Sequence, residues 1–229
     1  MTKAQHMLFD YTWARTYVGL VALLIALGCT LLHNINLDGP DWEIPTSISH
    51  TYHTGARDYF VAQLFVVAAF LISYRGHTCR EWWAAKAAGG AAMLIAWFPT
   101  SCKNVCKKNS ESATFLLEST DGCDLSNLMH QIAAVSFFVL LAYFCFRFYK
   151  RADMKFNAMP TRKTYNRRKK VYAVSGVLMV LTMIFGFILY KSNQDSFPNI
   201  LFWVEAICLV LFGIVWLVAG KKVPFFKDN

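Results

Sequence analysis

The sequence predicts an all-α integral membrane protein: one domain, residues 1–229, that forms a bundle of six transmembrane helices with both termini in the cytoplasm. Composition is the first reason, because 56% of the 229 residues are hydrophobic and only 16% are charged, which is too apolar for an ordinary soluble domain. The second reason is that six apolar stretches approach the length of about 20 residues that crossing a bilayer requires. The third is the placement of Lys and Arg in alternate connections, a pattern that orients membrane helices.

The six predicted spans differ in their apolar length. The first ends in "ALGC", but no A-x-A-like cleavage site follows it, so we expect a retained span and not a removed signal peptide. The second is short, and the third carries Lys86 within its apolar run. In chain order the predicted spans are residues 13–32, 58–74, 82–98, 128–148, 171–190 and 199–220.

Charge in the connections predicts the orientation. Basic residues precede the first span, separate the second from the third, fill the connection at 149–170 and follow the sixth span. Cytoplasmic loops carry such an excess of Lys and Arg. We therefore expect these segments on the cytoplasmic side of the cytoplasmic (inner) membrane and the loop at 99–127 on its outer side. Cations crowd into the 149–170 loop of this chain, whose net charge is +9, and we expect them to contact anionic lipid headgroups and not nucleic acid.

The predicted outer loop contains three cysteines, Cys102, Cys106 and Cys123. In an oxidising compartment Cys123 can pair with either of the others, which predicts one disulfide and one remaining thiol. Free thiols and a metal site are the alternatives, although the C-x₃-C spacing is not a strong zinc signature. We interpret the cysteines inside the spans as small apolar packing residues: Cys29, Cys145 and Cys208.

Ionisable residues gather at one depth near the predicted outer face. His50 and His53 precede the second span, Asp58 begins it, and His130 begins the fourth. A helix that started near Ser49 would carry the first three of these side chains on one face. Glu205 lies in the sixth span, about 9 Å below its outer end. Because such groups cost several kcal/mol at membrane depth unless they are paired, hydrated or bound to an ion, we predict that they line one outward-facing polar pocket.

This pocket has several interpretations at the level of sequence. One is structural, a helix cap and an ion-pair network in which Asp58 pairs with Arg57 or with a histidine. Another is a catalytic zinc site, with Asp58 as ligand, orienting group or general base, Ser49 and Thr100 as donors to a substrate oxygen, and Glu205 as an alternative carboxylate. The predicted zinc ligands are His50, His53 and His130. A transport pathway and a haem held by His53 and His130 are the remaining interpretations.

Several stretches resemble a group of uncharacterised bacterial multi-pass membrane proteins. They pair a Ser/His/Asp-bearing second span with Pro-Thr, a lone His and a Trp-x-Glu element, in "IPTSISHTYHTGARDYF", "AAGGAAMLIAWFPTS", "LMHQIAAVSFFVLLAYF" and "FWVEAICLVLFGIVWLVAGK". More distantly, the set of Ser, Asp and three His is similar to the CREST membrane hydrolases, which include alkaline ceramidases and use zinc in a seven-span bundle. That resemblance implies zinc-dependent hydrolysis at Ser49, His53, Asp58 and His130, although the final-span H-x-x-x-H pair of those enzymes is absent.

The sequence leaves open whether the protein is an enzyme. The leading enzymatic hypothesis is metal-assisted hydrolysis of a lipid or of a lipid-linked amide or ester, with zinc as the candidate cofactor. The competing hypothesis is a non-enzymatic membrane protein, either a small transporter or a packing partner for another complex.

Overall fold

The computed structural model describes residues 11–35, 42–100, 120–159, 163–192, 196–222 and 226. Within these ranges the chain folds into six α-helices and one short 3₁₀ helix. In chain order they are α1 (Tyr11–Ile35), the 3₁₀ helix (Ser49–His53), α2 (Arg57–Ser73), α3 (Cys79–Trp97), α4 (Thr120–Ala158), α5 (Lys163–Ser192) and α6 (Ile200–Gly220). The predicted all-α class is therefore confirmed.

Four of the helices, α1, α4, α5 and α6, are long and apolar enough to cross a membrane, within the described part of the chain. α2 has 17 residues, so its length is about 25 Å, less than the roughly 30 Å of a hydrocarbon core. α3 has 19 residues, but Arg80, Glu81 and Lys86 reduce its apolar content. The protein is thus an α-helical membrane protein, as the sequence predicts.

Helix packing gives the bundle two chemically different ends. α1 packs against α6, α2 against α3, and α4 against both α3 and α5. One end, which we call the histidine end, contains residues 42–56 and 98–100 together with the starts of α4 and α6. The opposite end, which we call the basic end, contains residues 74–78, the end of α4, the start of α5 and residues 221–222.

Small residues allow close contact where α1 crosses α6. A Cβ atom built on Gly19 would lie 2.8 Å from the Gly213 carbonyl oxygen, and one built on Gly213 would lie 2.8 Å from the Gly19 carbonyl oxygen. Contacts of this length are not tolerated between a side chain and a fixed backbone, so either side chain would push the helices apart. Small residues at such a crossing let two backbones approach, which is a common basis of helix association in membranes.

Aromatic rings fill the bundle between its two ends. Trp216 of α6 is fully buried, and its ring meets those of Phe70 at 4.9 Å, Tyr74 at 5.4 Å and Phe148 at 5.5 Å between centroids. These neighbours come from α2, from α4 and from the residue that follows α2. Edge-to-face ring packing of this kind stabilises a core beyond the burial of area alone.

The start of α3 at the basic end is fixed by Glu81. Thr78 is the N-cap, and its side chain accepts the Glu81 N–H at 3.3 Å. The buried Glu81 carboxylate accepts the His77 N–H at 3.0 Å and hydrogen bonds from Arg147 at 3.0 Å and Arg151 at 2.8 Å. Because both arginines belong to α4, this carboxylate also ties α3 to α4.

The helices differ from the predicted spans most clearly at α4, at α5, which begins eight residues before the predicted 171–190, and in the stretch before α2. α4 has 39 residues and extends beyond the predicted span 128–148 at both ends, because polar residues are compatible with a helix that continues outside the hydrocarbon core. The stretch from Ser49 is not one helix, since Thr54 is extended with φ −126° and ψ 177° and α2 begins only at Arg57. His50 and His53 therefore do not share a helical face with Asp58.

The cysteine prediction falls mainly outside the described residues. Cys102 and Cys106 lie beyond them, and Cys123 falls in the part of α4 whose side chains are not described, so the disulfide stays a prediction. The thiols of Cys29, Cys145 and Cys208 are buried within the helices and unbridged, which agrees with their interpretation as packing residues.

Candidate functional site

Glu205 is the centre of a polar layer at the histidine end. It lies near the start of α6, and its Oε2 atom accepts the N–H groups of Ile48 at 2.6 Å and Ser49 at 3.3 Å. Its Oε1 atom accepts the Ser49 hydroxyl at 3.0 Å. The first N–H groups of any helix lack a partner within that helix. Glu205 therefore caps the 3₁₀ helix from across the bundle.

The segment at 42–56 and the start of α6 cap each other. The Thr46 carbonyl oxygen accepts the Phe202 N–H from the first turn of α6 at 3.1 Å, and the Asn199 amide donates to the Ile44 carbonyl at 3.1 Å. Within the segment, the Ser47 hydroxyl oxygen accepts the His50 N–H at 2.8 Å. The Ser47 side chain thus contacts the backbone of the 3₁₀ helix from within the segment.

Two histidines hold the non-helical residues 98–100 that follow α3. The buried His130 ring lies with Nδ1 2.6 Å from the Phe98 carbonyl oxygen, and the His53 ring lies with Nε2 3.0 Å from the Thr100 carbonyl oxygen. Ser126 completes the set by donating to the Pro99 carbonyl at 3.1 Å. A carbonyl oxygen only accepts hydrogen bonds, so each of these ring nitrogens carries the proton.

This assignment leaves a lone pair on the second nitrogen of each neutral ring. For His130 that atom is Nε2, which is buried and has no hydrogen-bond partner among the described residues. Nδ1 of His33, at the end of α1, is also buried without a partner in the same part of the chain. Buried polar atoms are normally satisfied, so these two nitrogens mark places where a small polar ligand would be stabilised.

His50 and His53 are neutral at pH 7. Burial lowers the pKa of His50, and the neighbouring rings of His53 and His33 lower it further. Burial also lowers the pKa of His53, an effect that its hydrogen bond to Thr100 opposes and the Arg57 guanidinium reinforces. The His50 and His53 ring centroids are 5.8 Å apart. Protonation of one of these rings therefore disfavours protonation of the other.

The structure brings together only part of the predicted pocket. His53 meets Thr100, Ser49 meets Glu205, and the Arg57 guanidinium donates to the Tyr52 hydroxyl at 3.2 Å. Asp58, by contrast, is exposed, and no hydrogen bond or ion pair joins it to another residue in the described ranges.

The predicted zinc ligands do not converge in the described residues. Within those residues no group of three or more His, Cys, Asp or Glu is arranged to hold a metal ion. One ring nitrogen of His53 and one of His130 donate to carbonyl oxygens, and the second nitrogens of these rings do not converge with a third ligand among the described residues. The residues as arranged do not fit a zinc centre, and we derive no chemistry through one.

Sequence inspection missed Ser126 and the role of residues 98–100. Pro99 was the available signal, because a proline interrupts helical hydrogen bonding and leaves nearby carbonyls that need donors. Ser126 and His130 are four residues apart, so they lie on one face of α4 and reach the same stretch. Two such residues opposite a proline-terminated helix predict a docking contact.

The fold and this layer define a multi-pass helical membrane protein with a serine, histidine and glutamate layer at one end of its bundle. Residues 49–220 match the family described as "Protein of unknown function (DUF998)", and because the match covers more than half of the chain, the protein belongs to that family. This agrees with the resemblance to uncharacterised membrane proteins. No curated protein matches the chain, and no solved structure matches it either.

Proposed function

We propose that the protein is a non-enzymatic, proton-coupled small transporter and that Glu205 is the group that takes up the proton. The observation that carries the proposal is the set of three hydrogen bonds that Glu205 accepts from Ile48 and Ser49. Ionisable groups inside membrane bundles commonly mark ion pathways, and chains of Asp, Glu and His form the proton relays of pumps and transporters.

Protonation changes what Glu205 can bind. An ionised carboxylate only accepts hydrogen bonds, whereas the protonated acid carries a donor in place of one acceptor site. Hydrogen bonds to the ionised form are also roughly twice as strong as those between neutral groups. Proton uptake therefore weakens the contact between α6 and the N–H groups of Ile48 and Ser49, and the 42–56 segment is freed to move away from α6.

The groups around Glu205 suit a proton pathway. Among the described residues, the thiols of Cys29 in α1 and Cys208 in α6 are titratable side chains near Glu205. His50 and His53 lie in the same segment that Glu205 holds, and their rings are only half-buried, so solvent reaches them. A proton taken up at the histidine end thus meets neutral imidazoles and a carboxylate within one layer.

We also propose that the chain has six spans, with both termini in the cytoplasm and the histidine end on the outer side of the cytoplasmic membrane. α2 and α3 pack against each other and return the chain to the histidine end, so counting them as spans keeps residues 11 and 220 at the basic end. The concentration of Lys and Arg at that end supports a cytoplasmic location for it.

The alternative function is the metal-assisted hydrolysis of a lipid or lipid-linked substrate, which the distant resemblance to CREST enzymes implies. It requires Ser49, Asp58 and the histidines to face one substrate. The Ser49 hydroxyl instead donates to Glu205, and Asp58 is exposed, so the geometry favours transport.

Hydrogen–deuterium exchange tests the conformational part of the proposal. In the purified protein, exchange in residues 42–56, corrected for the intrinsic pH dependence, should rise as the pH falls. In Glu205→Gln it should be high at every pH, because an amide oxygen cannot replace the charged acceptor. Glu43→Gln is the matched control, since Glu43 is an exposed glutamate at the same end, and it should behave as the wild type. Exchange that does not depend on pH in the wild type would contradict the proposal.

Proteoliposomes on a solid-supported electrode test the transport part. A pH step should displace charge in the wild type and in Glu43→Gln, but not in Glu205→Gln. Equal signals from all three proteins would show that Glu205 is not the proton-binding group.

A further inference from the structure

A cavity of about 280 Å³ opens at the basic end, far from Glu205. Side chains from α1, α4 and α5 and the residues at the end of α6 line it. No aspartate or glutamate is among the described residues that line this cavity, whereas five lining residues are cations: Arg15, Arg151, Lys155, Arg168 and Lys221. Arg151, Lys155 and Arg168 belong to the basic stretch 149–170, but Arg15 comes from α1 and Lys221 follows α6, so helix packing assembles the group.

Two of these arginines have bonding capacity to spare. Arg15 donates to the Ala219 carbonyl and to the Tyr74 hydroxyl, each at 3.4 Å. Arg151 donates to Glu81 at 2.8 Å and lies 2.7 Å from a His77 ring nitrogen. In both arginines the Nε atom is buried and has no hydrogen-bond partner in the described part of the chain. A guanidinium offers five N–H donors, so an acceptor in the cavity would accept the hydrogen bonds that Arg15 and Arg151 do not make within the protein.

The charge around the cavity favours an anion. The Glu81 carboxylate is shared by Arg147 and Arg151, so one negative charge serves two guanidinium groups. Burial lowers the pKa of the lining residue His77, and the cations of Arg151, Arg15 and Lys155 lower it further, against the opposing effect of Glu81. The part of the lowered His77 pKa that these cations cause reflects positive potential at the cavity wall.

We propose that this cavity binds a phosphate group, carried either by an anionic phospholipid or by a free phosphate compound. The planar donor fork of arginine matches two phosphate oxygens at once, and lysine adds a compact charge. Basic pockets between membrane helices at the cytoplasmic side commonly bind phosphate headgroups. The aromatic side chains of Phe148, Tyr165 and Tyr172 supply the less polar part of the wall.

Lys155 and Lys150 provide matched variants for the test. Both are exposed lysines near the end of α4, but only Lys155 is among the residues that line the cavity. Lys155→Gln and Lys150→Gln therefore remove the same charge from the same helix, and neither disturbs a buried side chain. Arg15→Gln is the additional variant that tests the half-buried side of the cavity.

The probe is inorganic pyrophosphate, titrated calorimetrically into the purified full chain in neutral detergent. We expect saturable binding that Lys155→Gln and Arg15→Gln each weaken by about tenfold, the value of one charge-assisted hydrogen bond. Lys150→Gln should keep the wild-type Kd. The proposal is overturned if pyrophosphate does not bind saturably, if chloride at equal ionic strength displaces it as well, or if Lys150→Gln weakens binding as much as Lys155→Gln.

The same titration in nanodiscs identifies the source of the phosphate. If phosphatidic acid in phosphatidylcholine nanodiscs prevents pyrophosphate binding, the site takes a lipid headgroup. If binding is equal with and without phosphatidic acid, the site takes a free phosphate compound. Both results support the phosphate site, provided that the lysine variants differ as expected.

Discussion

Glu205 and Glu81 have the same local role at opposite ends of the bundle. Each carboxylate accepts backbone N–H groups at the start of a helix, Ile48 and Ser49 in one case and His77 in the other. They differ in their remaining partners, because Glu81 also pairs with two arginines whereas Glu205 has a serine hydroxyl. A carboxylate balanced by cations is held ionised, so Glu81 is suited to stability and Glu205 to a change of protonation.

Loss of the Glu81 charge should destabilise the protein. Glu81→Gln leaves Arg147 and Arg151 beside a neutral amide, and breaking a buried pair costs about 3–5 kcal/mol. Both arginines are partly exposed, so we expect about 3 kcal/mol, the lower end of that range. The measurement is thermal unfolding in detergent, followed by tryptophan fluorescence, with the exposed Glu43→Gln as the control. Identical unfolding temperatures for the two variants would contradict the structural role of Glu81.

Histidine titration should make the protein less stable in mild acid. Burial lowers the pKa of both His50 and His53 below 6.5, the ordinary value for a histidine. The unfolded chain then binds more protons than the folded chain at pH values below about 6.5, so stability falls as the pH drops from there towards the lower folded pKa values. Above about pH 6.5 both rings are largely neutral in the folded and in the unfolded chain, so they do not change the free energy of unfolding there.

The variant His50→Gln tests whether histidine titration lowers the stability of the protein in mild acid. The His50 ring makes no hydrogen bond in the described part of the chain, so its replacement removes the titration with little loss of contact. The decrease in unfolding temperature between pH 7.5 and pH 5, which spans the window about pH 6.5, should be smaller in His50→Gln than in the wild type. If the unfolding temperature fell more in the variant than in the wild type, titration of His50 would not be a cause of the lower stability in acid.

At the scale of elements, the spans could be predicted and the break before α2 could not. Apolar length alone predicts α1, α4, α5 and α6, because each must cover the hydrocarbon core by itself. The 3₁₀ helix depends on Glu205, which is 157 residues away from Ile48, and no local pattern contains that information. Residues 49–60 therefore look like one helix start when they are taken alone.

The crossing of α1 and α6 should fail with the smallest added side chain. Gly213→Ala places a methyl group 2.8 Å from the Gly19 carbonyl oxygen, so the helices must separate, and we expect a loss of about 1–3 kcal/mol. Gly90→Ala in α3 is the control, since a Cβ atom there meets nothing within 4 Å. Thermal unfolding in detergent should show the first variant less stable and the second unchanged or slightly more stable, as alanine favours helix. If both variants lost the same stability, the cause would be the replacement of any helical glycine and not the contact between α1 and α6.

At the scale of the whole molecule, two polar regions lie at opposite ends of an aromatic core. The sequence predicts the gathering at the histidine end, because histidines and carboxylates at membrane depth are rare enough to be noticed. It does not predict the cationic cavity, since Arg15, Arg151, Arg168 and Lys221 come from separate elements and each is already accounted for by the charge rule of orientation. Only the packing of the helices shows which cations line the cavity and which ones serve only to orient the protein in the membrane.

Orientation in the membrane decides which solvent each polar region meets. If Lys and Arg determine it, the basic end is cytoplasmic and the histidine end faces out. Cysteines introduced at the exposed positions Glu43 and Lys150 report on the two ends, in a background where Cys79, Cys102, Cys106 and Cys123 are replaced by serine. A maleimide that cannot cross membranes should label Glu43→Cys in intact cells and Lys150→Cys only after permeabilisation. Labelling of both in intact cells would mean that the charge rule fails, and labelling of Lys150→Cys alone would place the Glu205 layer in the cytoplasm and remove the outward-facing proton site.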